Sequence, residues 1–299
     1  MKPQERVLPI EGTGRALARQ DGRLGSLLAQ DGKLATGDIE RVLALQVRRG
    51  LRFGEAALAL GVISADELRG AIARQFGFPQ VVPGRGGVSP ELVAAYEPLH
   101  PRAEELRSLR AQLLIHWPAA GDGRKLLAVV SPGAGDGRSY LAANLAVLFA
   151  QLGRRTLLID ADLRAPRQHR IFDLTDRVGL STILSDRAGT EAVLALPEFG
   201  PLSLLPAGVP PPNPQDLLLR PALGALLEAI EPDFDIILFD TPPARPYADA
   251  QCLAGHAGRA LVLARRDRTR LDDAASLMRS LGNSATRIVG TVFNDARGG

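Results

Sequence analysis

The chain has 299 residues, 45% of them hydrophobic, 23% charged and 4% aromatic, with a formal net charge of +3. That length leads to an expectation of two domains, and the scarcity of aromatics, with no basic run interleaved with them, argues against nucleic acid as a partner. A single cysteine, Cys252, excludes an intramolecular disulfide framework and any multi-cysteine metal site within one chain, and points to a reducing compartment.

The opening segment, MKPQERVLPIEGTGRALARQ, lacks the apolar core of a signal peptide. No later stretch approaches the ~20 apolar residues that span a bilayer. A cytoplasmic location is expected, with any membrane association made through a partner. Residues 23–46 and 52–75 then write one pattern twice, the second copy beginning 29 residues after the first. Arg23 matches Arg52, Gly25 matches Gly54, Gly32 matches Gly61 and Gln46 matches Gln75. Fixed-period self-similarity is a fold-level signal, and each copy reads as a short helix, a glycine and a second amphipathic helix. Thr36 and Ser64 are expected as the caps of the second helices.

Residues 79–101 are rich in proline and glycine, which predicts a linker. One amphipathic helix is predicted over 102–117, with Leu106, Leu109, Leu113 and Leu114 on one face and Glu104, Arg107 and Arg110 on the other. From Lys125 onward, apolar strands alternate with helices: strands at 126–130, 155–162, 202–206, 234–240, 259–265 and 286–294, and a helix at 139–153. Asn213 and Pro214 open a further helix as cap and first residue. Near-continuous apolar strands alternating with helices indicate a parallel, doubly wound α/β sheet, preceded by a small all-α domain. The expected divisions are 1–80, a linker at 81–101, and 102–299.

The turn after the first strand reads Ser131-Pro132-Gly133-Ala134-Gly135-Asp136-Gly137-Arg138-Ser139. Its glycines let backbone amides converge on an anion, and the following helix aims its positive end at the same point. The chain departs twice from the common G-x-x-x-x-G-K-[ST] pattern, with Pro132 at the first glycine and Arg138 at the lysine. Asp160, Asp162 and Asp240 lie at the carboxyl ends of apolar strands, where an open parallel sheet gathers its ligands. Ser139, Asp162 and Asp240 are the candidate magnesium ligands, and Arg138, Asp160 and Asp162 the candidate catalytic groups, with Asp160 accepting the nucleophile's proton. Gly133, Gly135, Asp136, Gly137, Arg138, Ser139 and Tyr140 are the candidate contacts to ATP phosphates. The alternative for the carboxylates is a set of strand-end caps.

At these residues the chain resembles the bacterial tyrosine kinases, a P-loop NTPase family of deviant type whose members act in exopolysaccharide and capsule synthesis. The resemblance covers about 102–295 and rests on the phosphate loop through AANLA (142–146), LLIDADLRAPRQH (157–169), GLSTIL (179–184), PAGVPPPNPQDLL (206–218) and FDIILFDTPP (234–243). It implies an ATP- and magnesium-dependent kinase regulating polysaccharide chain length. It also implies an inner-membrane chain-length-determinant protein as partner, and self-assembly through Glu104, Arg107 and Arg110, a triplet that a solvated helix face explains nearly as well. Such kinases carry a C-terminal tyrosine cluster, whereas this sequence ends VFNDARGG and holds only Tyr96, Tyr140 and Tyr247, so tail autophosphorylation is not expected. Arg138 keeps the positive charge and is able to grip phosphate oxygens bidentately.

The duplicated segment resembles the MshEN-type module of type II secretion and pilus-assembly ATPases, which binds cyclic di-GMP. That resemblance implies Arg23, Gly25, Gly32, Arg52, Gly54 and Gly61 as ligand contacts. A helical docking module with no ligand is the alternative. Three functions follow: a tyrosine kinase, a nucleotide-switched assembly protein, and a partitioning-type ATPase. The last is disfavoured by Gly133 where that class carries a signature lysine, and by the proline-rich block.

Overall fold

The computed structural model describes residues 24–75, 88–97, 100–117, 125–175, 178–284 and 286–295. The chain divides into two compact units, Met1–Gln80 and Val81–Gly299.

The described part of the first unit is helical: α1 (24–30), α2 (Thr36–Arg49), α3 (Phe53–Ala59) and α4 (Ala65–Gln75). Both α1 and α3, and α2 and α4, start 29 residues apart. Gly32 at φ 67° and Gly61 at φ 65° close the short helices in the left-handed conformation that glycine adopts without a Cβ penalty. Their N–H groups donate to Ala29 and Leu58 at 3.0 and 2.9 Å, the same turn made twice. Leu24, Leu28, Leu34, Val42, Phe53, Ala57 and Ile63 fill the core between the copies. Ser64 caps α4 reciprocally: its Oγ accepts from the Glu67 N–H at 3.2 Å and the Glu67 carboxylate accepts from the Ser64 N–H at 2.9 Å. Thr36, expected to do the same, is instead the first residue of α2, with Ala35 at the cap and no side-chain bond there. The repeat keeps its register, so alanine falls where the second copy has serine.

The second unit is built on a seven-stranded sheet of β1 (Leu126–Val130), β2 (Thr156–Asp160), β3 (Leu194–Ala195), β4 (Leu202–Leu205), β5 (Ile236–Asp240), β6 (Arg259–Arg265) and β7 (Arg287–Asn294). Their order is β3-β4-β2-β5-β1-β6-β7, parallel except for β3, a two-residue antiparallel edge that the sequence pattern missed. Its helices are α5 (Val93–Tyr96), α6 (Pro101–His116), α7 (Arg138–Ala150), α8 (Gln168–Ile171), α9 (Leu180–Ile183), α10 (Pro214–Leu218), α11 (Pro221–Ile230), α12 (Asp249–Ala257) and α13 (Leu271–Asn283). Successive strand residues face opposite sides. Leu126, Ala128, Ile159 and Phe239 pack beneath α10 to α13, and Leu127, Val129, Leu158 and Leu238 pack beneath α5 to α7. Helices thus cover both faces, as the apolar runs of β1, β2 and β5 require. β7 departs from that expectation, because it is an edge strand whose residues are exposed or half-buried.

Residues 88–97, expected to be linker, are packed against the second unit's own helix. Asn144 of α7 accepts from the Ala94 N–H at 3.0 Å and donates to the carbonyls of Glu91 and Tyr140 at 2.9 Å each. Leu92, Ala94 and Ala95 are buried there. A buried carboxamide with all three bonds satisfied holds a proline-containing segment that lacks helical length of its own.

Candidate functional site

The site gathers at the carboxyl ends of β1, β2 and β5, adjacent strands in the sheet. The turn at 131–137 joins β1 to α7 with Gly135 at φ 76° and Gly137 at φ 108°. A Cβ at Gly137 would lie 2.6 Å from Asn294 Nδ2, and one at Gly135 2.9 Å from the Arg268 guanidinium. Both positions therefore need glycine twice over, for backbone angle and for space. The Asp136 carboxylate accepts from the Gly133 N–H at 2.8 Å, Asn294 Nδ2 donates to the Asp136 carbonyl at 2.8 Å, and Arg265 donates to the Gly135 carbonyl at 2.8 Å. The first N–H groups of α7 have no partner within the helix, and its dipole adds positive potential at the turn.

Arg138, the first residue of α7, is buried. Its Nε donates to the Thr241 carbonyl at 2.7 Å, and its Nη1 to the Gly133 carbonyl at 2.6 Å and to Ser131 Oγ. The guanidinium is folded in against the start of the turn and the exit of β5. Burial draws its ionisation down, and Asp240, Asp162 and Asp136 pull it back up. Tyr140 contributes its backbone to the first turn of α7, while its hydroxyl is enclosed without a partner.

Asp160 and Asp240 are register partners on neighbouring strands, which sets two carboxylates side by side. Both are fully buried. Burial first, and the Asp240 charge second, hold Asp160 well above the usual carboxylate range. Burial likewise pushes Asp240 up to about 6, against opposing hydrogen bonds from Gln168 and Ser139. Asp160 accepts from the N–H groups of Arg167 and Gln168 at 2.9 and 2.8 Å, which ties the carboxyl end of β2 to the start of α8. Asp162 lies two residues beyond and accepts from the N–H groups of Arg164 and Ala165 at 3.1 and 2.9 Å.

Gln168 was not among the expected site residues, yet it joins all the parts. Its Nε2 donates to Asp240 Oδ2 at 2.7 Å and to the Ser139 carbonyl at 3.1 Å. Thr241 and Asn294 were missed as well. The only signal in the sequence was that Gln168 and Thr241 stand inside quoted motif blocks.

Magnesium fits these residues on their chemistry. Asp240 Oδ1 and Gln168 Oε1 are buried oxygens with no hydrogen-bond partner, and the Ser139 hydroxyl lies close enough to Asp240 to oppose its rise in proton affinity. Among the described residues no three His, Cys, Asp or Glu side chains cluster as a metal cage. Magnesium does not need one, since it takes one or two carboxylates and completes its shell with water and phosphate. Ser139, Asp162 and Asp240 would supply the protein's hard oxygens.

Of the other expected contacts, Arg23 lies outside the described residues. Gly25 and Gly54 are buried, and a Cβ there would meet the Phe53 ring at 3.0 Å and Leu68 Cδ1 at 2.7 Å. Helix packing accounts for both glycines, and the left-handed turns account for Gly32 and Gly61. Arg52 is exposed at the start of α3. Arg107 pairs with Glu104 on the surface of α6, whereas Arg110 is half-buried and donates to the Leu148 carbonyl at 2.9 Å. Among the described residues no helix is long and apolar enough to cross a membrane.

Residues 127–299 match the CobQ/CobB/MinD/ParA nucleotide binding domain family. The tyrosine-protein kinase YwqD of Bacillus subtilis is 33% identical over 203 residues, which cover 68% of this chain and 85% of that protein. Tyrosine-protein kinase wzc of Salmonella typhimurium is 30% identical over 204 residues, and there the match spans 28% of the relative's length. The kinase domain of Escherichia coli tyrosine kinase ETK superposes with a TM-score of 0.66 at 26% identity, covering 72% of this chain and 84% of that one. By sequence and fold together, the chain belongs to the bacterial tyrosine-protein kinases, within the CobQ/CobB/MinD/ParA nucleotide-binding family.

Proposed function

We propose that the chain is an ATP-dependent protein tyrosine kinase that regulates exopolysaccharide polymerisation or export. The observation that carries this is the trio Asp160, Asp162 and Asp240 set with Ser139 at the mouth of a glycine-rich turn, in a chain that matches most of a tyrosine-protein kinase. In the mechanism, the amides of 134–140 and the α7 dipole bind the nucleotide phosphates, while the Gly133 amide is held by Asp136. Ser139, Asp162 and Asp240 would hold magnesium, which would supply charge neutralisation on the phosphates. Asp160 takes the tyrosine's proton, and its raised proton affinity makes it a stronger base than an ordinary aspartate. Gln168 positions Asp240 and the start of α7. Arg138 fixes the turn and the β5 exit. The test is transfer of label from ATP to tyrosine in a glutamate–tyrosine copolymer, with magnesium present or chelated. Turnover should rise with pH through the range in which Asp160 ionises.

A second reading, a nucleotide-switched assembly protein with little transfer, is favoured by Arg138: its guanidinium is spent on protein groups. ATP hydrolysis or binding without phosphotyrosine would support it. We propose further that the repeat unit takes cyclic di-GMP through Arg23 and Arg52. The chain would act in the cytoplasm on an inner-membrane chain-length-determinant partner and self-assemble through α6. Glu104 and Arg107 support that last role better than Arg110, which is engaged within its own unit.

A further inference from the structure

The sequence contains three tyrosines, Tyr96, Tyr140 and Tyr247. Tyr96 donates its hydroxyl to the Val88 carbonyl at 2.9 Å. Tyr140 keeps its hydroxyl enclosed. Burial pushes both phenols up, so neither oxygen is presented as a nucleophile.

Tyr247 is different in exposure and in place. It is 40% exposed and lies in the turn between β5 and α12, seven residues after Asp240. One face of its ring is covered by Arg164, whose Cζ stands 3.5 Å from the ring centroid. The same guanidinium forks onto Asp249 at 2.7 and 3.1 Å, and the Arg164 N–H donates to Asp162 at 3.1 Å. The ring therefore stands on the rim of the carboxylate cluster. Its turn is anchored on both sides: the Ala244 and Arg245 N–H groups donate to Ser131 and Pro132 at 3.0 and 3.1 Å, and Asp249 is buried at the start of α12. The ring is held between these anchors under Arg164, with the uncovered part of its surface open to another molecule.

We infer that Tyr247 is this chain's own phosphoacceptor and that a second copy of the chain phosphorylates it. The inference rests on the kinase reading above and adds its acceptor. The Tyr247 oxygen attacks the γ-phosphorus of ATP held by the other copy, and a phosphorus–oxygen bond forms as the bond from that phosphorus to the β–γ bridging oxygen breaks. ADP leaves with the electron pair, and the phenol proton passes to Asp160 of the other copy. The product carries about −1.5 to −2 charge beside the Arg164 guanidinium, which lies over the ring.

Incubation of the full chain with magnesium and labelled ATP, alongside the glutamate–tyrosine copolymer, followed by peptide mapping, tests this. Label is expected on the Tyr247 peptide of the wild-type chain. Tyr247→Phe should lose nearly all labelling of the chain while still labelling the copolymer. Mixed with an Asp240→Asn chain, Tyr247→Phe should place label on the Asp240→Asn copy. A labelled copolymer with the chain unlabelled, or labelled at Tyr96 or Tyr140, overturns the inference and leaves the kinase reading standing. Label on Tyr247 that never passes between copies overturns transfer in trans. No label on chain or copolymer overturns the kinase reading and this inference with it. Mapping of the wild-type chain does not depend on the folding of any variant.

Discussion

Glycines mark both units of the chain, and they do different work in each. In the repeat, Gly25 and Gly54 make room for Phe53 and Leu68, while Gly32 and Gly61 turn the chain with open space around them. Folding accounts for all four. In the sheet unit, Gly135 and Gly137 are likewise fixed by backbone angle and space, but the turn they shape stands beside groups that the fold leaves unsatisfied. Beside it lie two paired carboxylates whose burial is costly, together with buried oxygens that no protein group satisfies. A motif whose every residue is explained by the fold says little about a ligand, whereas one that leaves polar groups unsatisfied points to one.

Five substitutions break or sharpen that contrast. Arg138→Ala strips donors from Thr241, Gly133 and Ser131 and removes the cation facing three aspartates. The loss is expected to be about 3–5 kcal/mol of stability, read by urea denaturation. Asp162→Ala should weaken magnesium-dependent ATP binding ~100-fold, or about 2.7 kcal/mol, while leaving magnesium-independent binding in place. Calorimetry with and without chelator checks it, and an unchanged metal dependence would remove Asp162 from the site.

Asp240→Asn should raise the stability of the nucleotide-free chain by about 1–3 kcal/mol at pH 8 while weakening metal binding. The sign follows from Asp240 at about 6 when folded, against an ordinary value of 3.8. The folded state holds this proton more tightly, so its contribution is full below the ordinary value and is lost as pH rises to about 6. The advantage of asparagine should accordingly be absent near pH 4 and complete at pH 8. Denaturation midpoints across that range decide it.

In the repeat, Gly54→Ala should cost about 1 kcal/mol by crowding Leu68, and Arg52→Ala less than about 0.5 kcal/mol. If Arg52→Ala nevertheless abolishes binding of cyclic di-GMP, the repeat also holds a ligand and the contrast narrows. If the intact chain gives no calorimetric response to that dinucleotide, the contrast is complete.

The sheet was legible because β1, β2 and β5 are buried on both faces, and such strands are apolar throughout. The site's carboxylates were legible because they end those runs. β3 was not, being two residues long, and neither was the half-exposed character of β7, whose Ile288, Val289, Val292 and Phe293 read as part of a buried strand. Residues 88–97 look like a linker by composition because the bonds that fix them belong to Asn144, far away in sequence. Arg138 was read as a phosphate ligand from its position in a motif, and only the structure reveals the carbonyls it meets instead. Gln168 carries no periodic signal, since one residue on a four-residue helix has no pattern to break.

The bond from Asn294 to the Asp136 carbonyl spans 158 positions of sequence. Synthesis thus completes the glycine-rich turn long before the strand that braces it exists. Until β7 docks beside β6, the emerging chain carries a cradle with one wall missing. Grip on a nucleotide is consequently a late event in the life of each molecule, and one that reports that the whole sheet has closed.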